Sequence, residues 1–178
     1  MRKKETVMLE RFYPDHEAES AYDIDYRGLY RTGYRGIIFD IDNTLVPHGA
    51  PADERAVALF AELHEIGYAT LLLSNNKEPR VKSFAEQVNA QYRFKAGKPG
   101  REGYLKAMEQ MGTDRTDTLF VGDQLFTDVW GAKRVGIVSY LTRPIHPKEE
   151  IQIVLKRRLE RIVLYFYHKK RLEGDLRP

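Results

Sequence analysis

Hydrophobic and polar positions first fall into a regular pattern near residue 35. RGIIFDI (35–41) is a short apolar run that stops at polar residues, as a buried strand does. PADERAVALFAELHEIG (51–67) carries Ala56, Val57, Phe60, Leu63 and Ile66 at helical spacing, with Pro51 near its start and Gly67 just past its end. YATLLLS (68–74) predicts a second buried strand. In NNKEPRVKSFAEQVN (75–89), Pro79 suits a first helical turn, and Val81, Phe84, Ala85 and Val88 share one face. QYRFKA (91–96), DTLFVGD (117–123) and IVSYLT (137–142) predict three more strands. GREGYLKAMEQMG (100–112), ended by Gly112, and FTDVWGAKRVG (126–136) predict the helices between them.

Strand and helix alternate, and the strands are continuously apolar instead of alternating. That combination predicts an α/β fold with a mainly parallel, five-stranded sheet covered by helices on both faces. The pattern bounds one domain over 35–145. Residues 1–34 show no clean period and are expected to form an irregular lead-in packed on it, while 146–178 form a C-terminal basic amphipathic helix and tail.

Composition narrows the classes. The chain has 178 residues, 42% hydrophobic and 31% charged, which suits a globular domain. Cysteine is absent, excluding disulfides and thiolate-ligated metal sites and suiting a reducing cytosol. No apolar run approaches the roughly 18 residues of a membrane-spanning helix, and no apolar block follows the basic start, so no signal peptide is expected. The net charge of +3 is only a weak pointer to anionic partners.

Polar residues collect where strands end. Asp40, Asp42, Asn43 and Thr44 follow the first strand; Ser74, Asn75 and Asn76 follow the second. Lys98 lies past the third, and Gly122, Asp123 and then Asp128 follow the fourth. In an open parallel sheet these positions converge on one edge, the ligand-binding edge. Clustered carboxylates in apolar sequence demand a counter-charge. A hard cation such as Mg²⁺ supplies it, and a lysine and a serine at the same edge suit a phosphoryl group. On this reading Asp40 is a carboxylate nucleophile that forms an aspartyl-phosphate. Asp42, two residues on, protonates the leaving oxygen and then activates water. Asp42 shares Asp40's side only if the strand persists that far.

FDIDNT resembles the first motif of the haloacid dehalogenase (HAD) superfamily, and LLLSNN its second. Lys98 matches the third-motif lysine, and GDQLFTD the acidic fourth motif with Asp123 and Asp128. The four stand in the family's order over residues 36–142. The chain is most similar to YqeG-type phosphatases of subfamily IIIA, which are close to the phosphatidylglycerophosphate phosphatases of mitochondria. The resemblance implies a Rossmannoid three-layer fold and assigns phosphoryl binding to Ser74, with Asn75 and Lys98 beside it. It makes Asp40 and Asp123 side-chain Mg²⁺ ligands and the Asp42 carbonyl a third. Asp128 holds a metal-bound water or orients Lys98. The intervals from Asp42 to Ser74 and from Ser74 to Lys98 leave no room for a cap domain, so the site is expected to be open to a large or lipid-borne phosphorylated substrate.

Each residue also has a plain structural reading. The aspartates can form turns, Ser74 and Asn75 can cap the next helix, Lys98 can be a loop lysine, and Asp128 can sit on a helix dipole. Trp130 reads as packing and His48 as a solvated loop residue. Arg143 and His146 are candidates to reach substrate anions. In the tail, residues 151, 154, 155, 159, 162, 163 and 166 follow helical spacing, and Lys148 to Glu173 carry a local excess of four positive charges. Such a helix either packs on its own sheet or lies on an anionic membrane face as a peripheral contact. No nucleic-acid module is recognisable, and an oligomer is compatible with an open site. The rival functions are a phospho-accepting switch, which Asp42 argues against, and a binding scaffold.

Overall fold

The computed structural model describes residues 9–146 and 151–174; the side chains of 151–155 lie outside the described set, and with them the expected contributions of Ile151, Val154 and Leu155 to the tail helix. The chain runs β1 (His16–Ala18), a 3₁₀ turn (Ala21–Asp23), α1 (Tyr26–Arg31), β2 (Gly36–Phe39), α2 (Glu54–Ile66), β3 (Ala69–Leu73), α3 (Glu78–Val88) and β4 (Gln91–Arg93). It continues through α4 (Arg101–Met111), β5 (Thr118–Gly122), a π-helical turn (Leu125–Val129), α5 (Trp130–Val135), β6 (Val138–Thr142) and α6 (Ile151–Leu172). Every strand pairing is parallel, in the order β1-β6-β5-β2-β3-β4.

The sheet therefore has six strands where the pattern predicts five. The additional strand, β1, lies in the lead-in read as irregular. It has three residues, none strongly apolar, so no hydrophobic period marks it. Its place is set by side chains: Asp15 Oδ2 accepts from the Ser139 backbone N–H at 2.9 Å and its hydroxyl at 2.7 Å, and Lys133 donates to Oδ1 at 2.8 Å.

The central strands bury both faces, which is why they read as continuous runs. Ile37 and Phe39 pack with Leu72, Phe60, Leu63 and Phe84 on the α2/α3 side. Ile38, Leu71 and Phe120 pack with Tyr104 and Ala107 on the α4/α5 side. Asp53 caps α2 by accepting from Ala56 N–H at 2.8 Å, and Gly67 (φ 110°) ends it. Along α2 the buried positions are Ala56, Leu59, Phe60 and Leu63; Val57, expected on that face, is exposed and Ile66 half-buried.

A third cluster, Tyr13, Leu125, Val129, Leu141, Val163 and Tyr167, joins the N-terminal segment, the π-helical turn and α6. Trp130 packs there too, edge-on to Phe12 at 5.3 Å. Of the described side chains on the face the period suggested, only Val163 docks. Glu160, Val163 and Tyr167 are buried, while Leu159, Ile162 and Phe166 point outward. Hydrophobic spacing identified an amphipathic helix but not which side meets the sheet. No helix among the described residues is long and apolar enough to cross a membrane.

Candidate active site

β2 and β5 are neighbours, yet the chain leaves β2 toward β3 and β4 on one side and leaves β5 toward β6 on the other. Their carboxyl ends flank the switch point where open α/β sheets bind ligands. Asp40 follows β2 and Asp123 follows β5. Asp128 stands in the π-helical turn, a local widening common at functional sites. One oxygen from each of Asp40, Asp123 and Asp128 lies within 4.8 Å of the others, and all three residues are buried.

Lys98 joins two of them. Its Nζ donates to Asp40 Oδ1 at 2.8 Å and to Asp128 Oδ1 at 2.7 Å. Burial alone would depress the ammonium's pKa, but Asp128 and Asp40 outweigh it and hold it above the ordinary value. Burial pushes Asp40 up, to about 6, against the opposing pull of Lys98. Asn75 fixes Lys98 through its backbone, accepting from its N–H at 2.8 Å and donating to its carbonyl at 3.1 Å. Tyr104, kept a neutral phenol by burial, donates to the Thr127 and Asp128 carbonyls at 3.0 and 3.2 Å. Gly122 lets Asp128 come close, because a Cβ there would sit 2.6 Å from Asp128 Oδ2.

Asp123 has partners that sequence spacing did not point to. Thr44 donates its hydroxyl to Oδ1 at 3.2 Å, and Arg157 of α6 donates to Oδ2 and to the Asp123 carbonyl. Arg157 also pairs with Glu160 at 3.0 Å, and Glu160 accepts from Leu125 N–H at 2.8 Å. Burial raises the Asp123 pKa well above the carboxylate range, with Arg157 pulling the other way.

Asp42 stands apart from the buried trio. β2 ends at Phe39 and Asn43 turns the chain with a left-handed φ of 61°; Asp42, just before that turn, is near enough for its charge to push the Asp40 pKa up. Its carboxylate accepts from the Asn76 amide, from Gly49 N–H at 2.7 Å and from Arg80 at 3.1 Å. His48 Nδ1 is 4.0 Å away and half exposed. The Ser74 hydroxyl is buried and accepts from Asn76 N–H at 3.2 Å, so it shapes the turn before α3 without capping the helix. Asn75 faces Lys98 instead of open space. Arg143 and His146 are exposed, and Arg143 pairs with Glu19 at 2.9 Å.

The donor set fits a divalent cation. Three buried carboxylates meet two positive side chains, Lys98 and Arg157, and Arg157 is shared with the buried Glu160, so acidic groups outnumber cations here. The ligand atoms are all oxygens, which hard cations prefer.

Buried carboxylates and a lysine at the switch point of a parallel sheet define a phosphoryl-transfer type of hydrolase, and similarity to known proteins agrees. A family model for haloacid dehalogenase-like hydrolases matches residues 49–136. The chain is 34% identical over 165 residues to the "Probable phosphatase YqeG" of Bacillus subtilis, covering 92% of this chain and 96% of that protein. It is 31% identical over 170 residues to "Phosphatidylglycerophosphate phosphatase 1, chloroplastic/mitochondrial" of Arabidopsis thaliana, covering 87% of this chain but only 47% of the plant protein. Among solved structures, the cobalt-bound deoxy-D-mannose-octulosonate 8-phosphate phosphatase of Haemophilus influenzae shares the fold, with a TM-score of 0.51 at 13% identity over 77% of this chain and 91% of that one. The chain belongs to the haloacid dehalogenase-like hydrolases, in their YqeG-type branch, and is a phosphatase.

Proposed function

We propose that the chain is a Mg²⁺-dependent phosphomonoester hydrolase that works through an aspartyl-phosphate on Asp40. The observation that carries this reading is Lys98, held between Asp40 and Asp128 in a buried site that Asp123 completes. Asp40, Asp123 and the Asp42 carbonyl would hold Mg²⁺, with Asp128 orienting Lys98. The ion, when bound, offsets charge on the transferring phosphoryl group. Asp40 attacks phosphorus, and the P–O bond to the leaving alcohol breaks as Asp42 gives that oxygen a proton. Asp42 then takes a proton from the water that attacks phosphorus, which releases phosphate and frees the Asp40 carboxylate. The division of labour follows burial: Asp40 is enclosed, whereas Asp42 is in contact with solvent through 12% of its side chain and can exchange protons with water. Asn76, Gly49 and Arg80 hold Asp42 ready, and Ser74 and Lys98 bind the phosphoryl oxygens.

The substrate is lipid-borne on this reading. The plant relative's name supports it, as does the outward stripe of α6, where Leu159, Ile162 and Phe166 stand among Arg158, Lys169 and Arg171. Such a face suits peripheral contact with an anionic membrane on its cytosolic side. The test is phosphate release from phosphatidylglycerophosphate vesicles and from an aryl phosphate, with Mg²⁺ or EDTA, for wild type and Asp40→Asn. Mg²⁺-dependent release that Asp40→Asn abolishes is expected, with the lipid preferred. Turnover that survives Asp40→Asn would exclude the covalent route.

A further inference from the structure

A groove of about 580 Å³ runs from Asp123 along the inner flank of α6, over the ends of β6 and β1. Asp123 belongs both to the acidic trio and to the wall of this groove, which places the groove next to the phosphoryl site. Its wall is mixed: Leu125, Leu141 and Leu164 give an apolar side, and Arg143, Arg157, Arg161 and His168 stand among Glu17, Glu19, Asp123 and Glu160. Most of those cations are already matched. Arg143 pairs with Glu19, His168 with Glu17, and Arg157 with Asp123 and Glu160. Arg161 also lines the groove, is exposed, and has no carboxylate partner among the described residues. An unmatched guanidinium beside an apolar wall, one step from a phosphoryl site, suits a planar-fork contact to a second phosphate.

We propose that this groove is a second anion subsite, in which Arg161 binds a phosphodiester carried by the leaving group of the phosphomonoester. The proposal rests on the phosphatase reading above and adds the part of the substrate that sets specificity. The scissile monoester sits at Asp40, a short polyol bridge passes Asp123, and the diester reaches Arg161, with apolar substituents against Leu141 and Leu164. The source of the diester is either a lipid headgroup or a soluble glycerophosphodiester, since the chemistry at Arg161 is the same. Groove positions 157, 161, 164 and 168 recur at helical spacing on one flank of α6, and outward positions 159, 162 and 166 recur on another. Substitutions on one flank therefore leave the other in place.

The experiment compares wild type, Arg161→Ala and Arg161→Lys on an aryl phosphate, on glycerol 3-phosphate, on deacylated glycerophosphoglycerophosphate and on the acylated lipid in vesicles. Calorimetry with glycerophosphoglycerol, which has the diester and no monoester, is run in parallel. Wild type should prefer the bridged ester to glycerol 3-phosphate. Arg161→Ala should lower kcat/KM on the bridged ester about tenfold or more, by the loss of a charge-assisted contact. The same variant should keep aryl phosphate turnover within about twofold, and Arg161→Lys should recover part of the loss. Equal effects on all substrates, or no preference by wild type for the bridged ester, would overturn the subsite while leaving the phosphatase reading intact. Loss confined to vesicles would assign Arg161 to membrane contact and also overturn it. If wild type hydrolyses none of the esters, the phosphatase reading fails, and calorimetry decides alone. Diester binding that Arg161→Ala removes sustains the subsite, and absent binding by wild type refutes it.

Discussion

Arg157→Met removes a guanidinium that donates to buried acceptors. Asp123 Oδ2, the Asp123 carbonyl and Glu160 Oε2 accept from it. The Asp123 and Glu160 side chains are 0% and 6% exposed. Removing one partner of a buried ion pair costs about 3–5 kcal/mol, because the other charge stays in the interior. Two features move the value toward the lower end. Arg157 itself is 17% exposed, so water reaches part of the vacated space. Burial already holds Asp123 above the carboxylate range, so without the arginine it takes up a proton instead of staying charged. The expected loss without metal is about 3 kcal/mol. At about 2–4 °C per kcal/mol for a chain of this size, that is a Tm shift of about 6–12 °C. Saturating Mg²⁺ binds the folded form and supplies the missing positive charge, so it should return part of the deficit. Urea and thermal unfolding of wild type and variant, each in EDTA and in Mg²⁺, measure this. A deficit below about 1 kcal/mol, or one that Mg²⁺ leaves unchanged, would refute Arg157 as the counter-charge of Asp123.

Asp15→Asn tests the β1 attachment. Burial alone would raise the Asp15 pKa, but Lys133 and Ser139 outweigh it and hold it below the ordinary 3.8. A depressed folded pKa gives stability that is present above the unfolded value and lost as pH falls through the folded one. The variant should be about 1 kcal/mol less stable at pH 7, discounted because the carboxylate is about one-third exposed. The gap should close as pH falls below the ordinary 3.8 and through the lower folded value, and a gap unchanged with pH in urea titrations would contradict this. Gly122→Ala puts a Cβ 2.6 Å from Asp128 Oδ2 and 2.7 Å from a Phe120 ring carbon. It should cost about 1–3 kcal/mol of stability and lower kcat by moving Asp128 off Lys98; unaltered kcat would show that the contact yields freely. Asn75→Ala removes both side-chain bonds to the Lys98 backbone. It should lower kcat about tenfold or more through loss of positioning while KM for an aryl phosphate changes little. A KM effect with kcat intact would instead make Asn75 a binding residue.

Much of the site was legible because its residues are set by local chemistry. Asp40, Ser74, Lys98, Asp123 and Asp128 each follow a strand or open a helix, and strand ends show in the apolar runs. Parallel topology then brings those ends to one edge, which is why an ordered set of motifs is specific where each alone is weak. The expected pairing of Asp42 with Asp40 depended on β2 persisting. β2 ends at Phe39, yet Asp42 still lies near enough to push the Asp40 pKa up; what the sequence did not show is that Arg80 and Asn76 hold its carboxylate.

By itself, the sequence determined the α/β class, the central strands, the capless intervals and the strand-end set of acids and lysine. Alternating period and turn residues are properties of neighbouring positions, and neighbours are what a sequence displays. Tertiary structure alone decided that β1 pairs with β6, that α6 docks through Glu160, Val163 and Tyr167, and that Arg157 meets Asp123. An arginine in a basic helix looks like any other until the helix is placed. The placement comes from the cluster of Tyr13, Leu125, Val129 and Leu141, contributed by segments far apart in the chain. Its apolar burial fixes one face of α6, and the charge pairing at Asp123 follows from that.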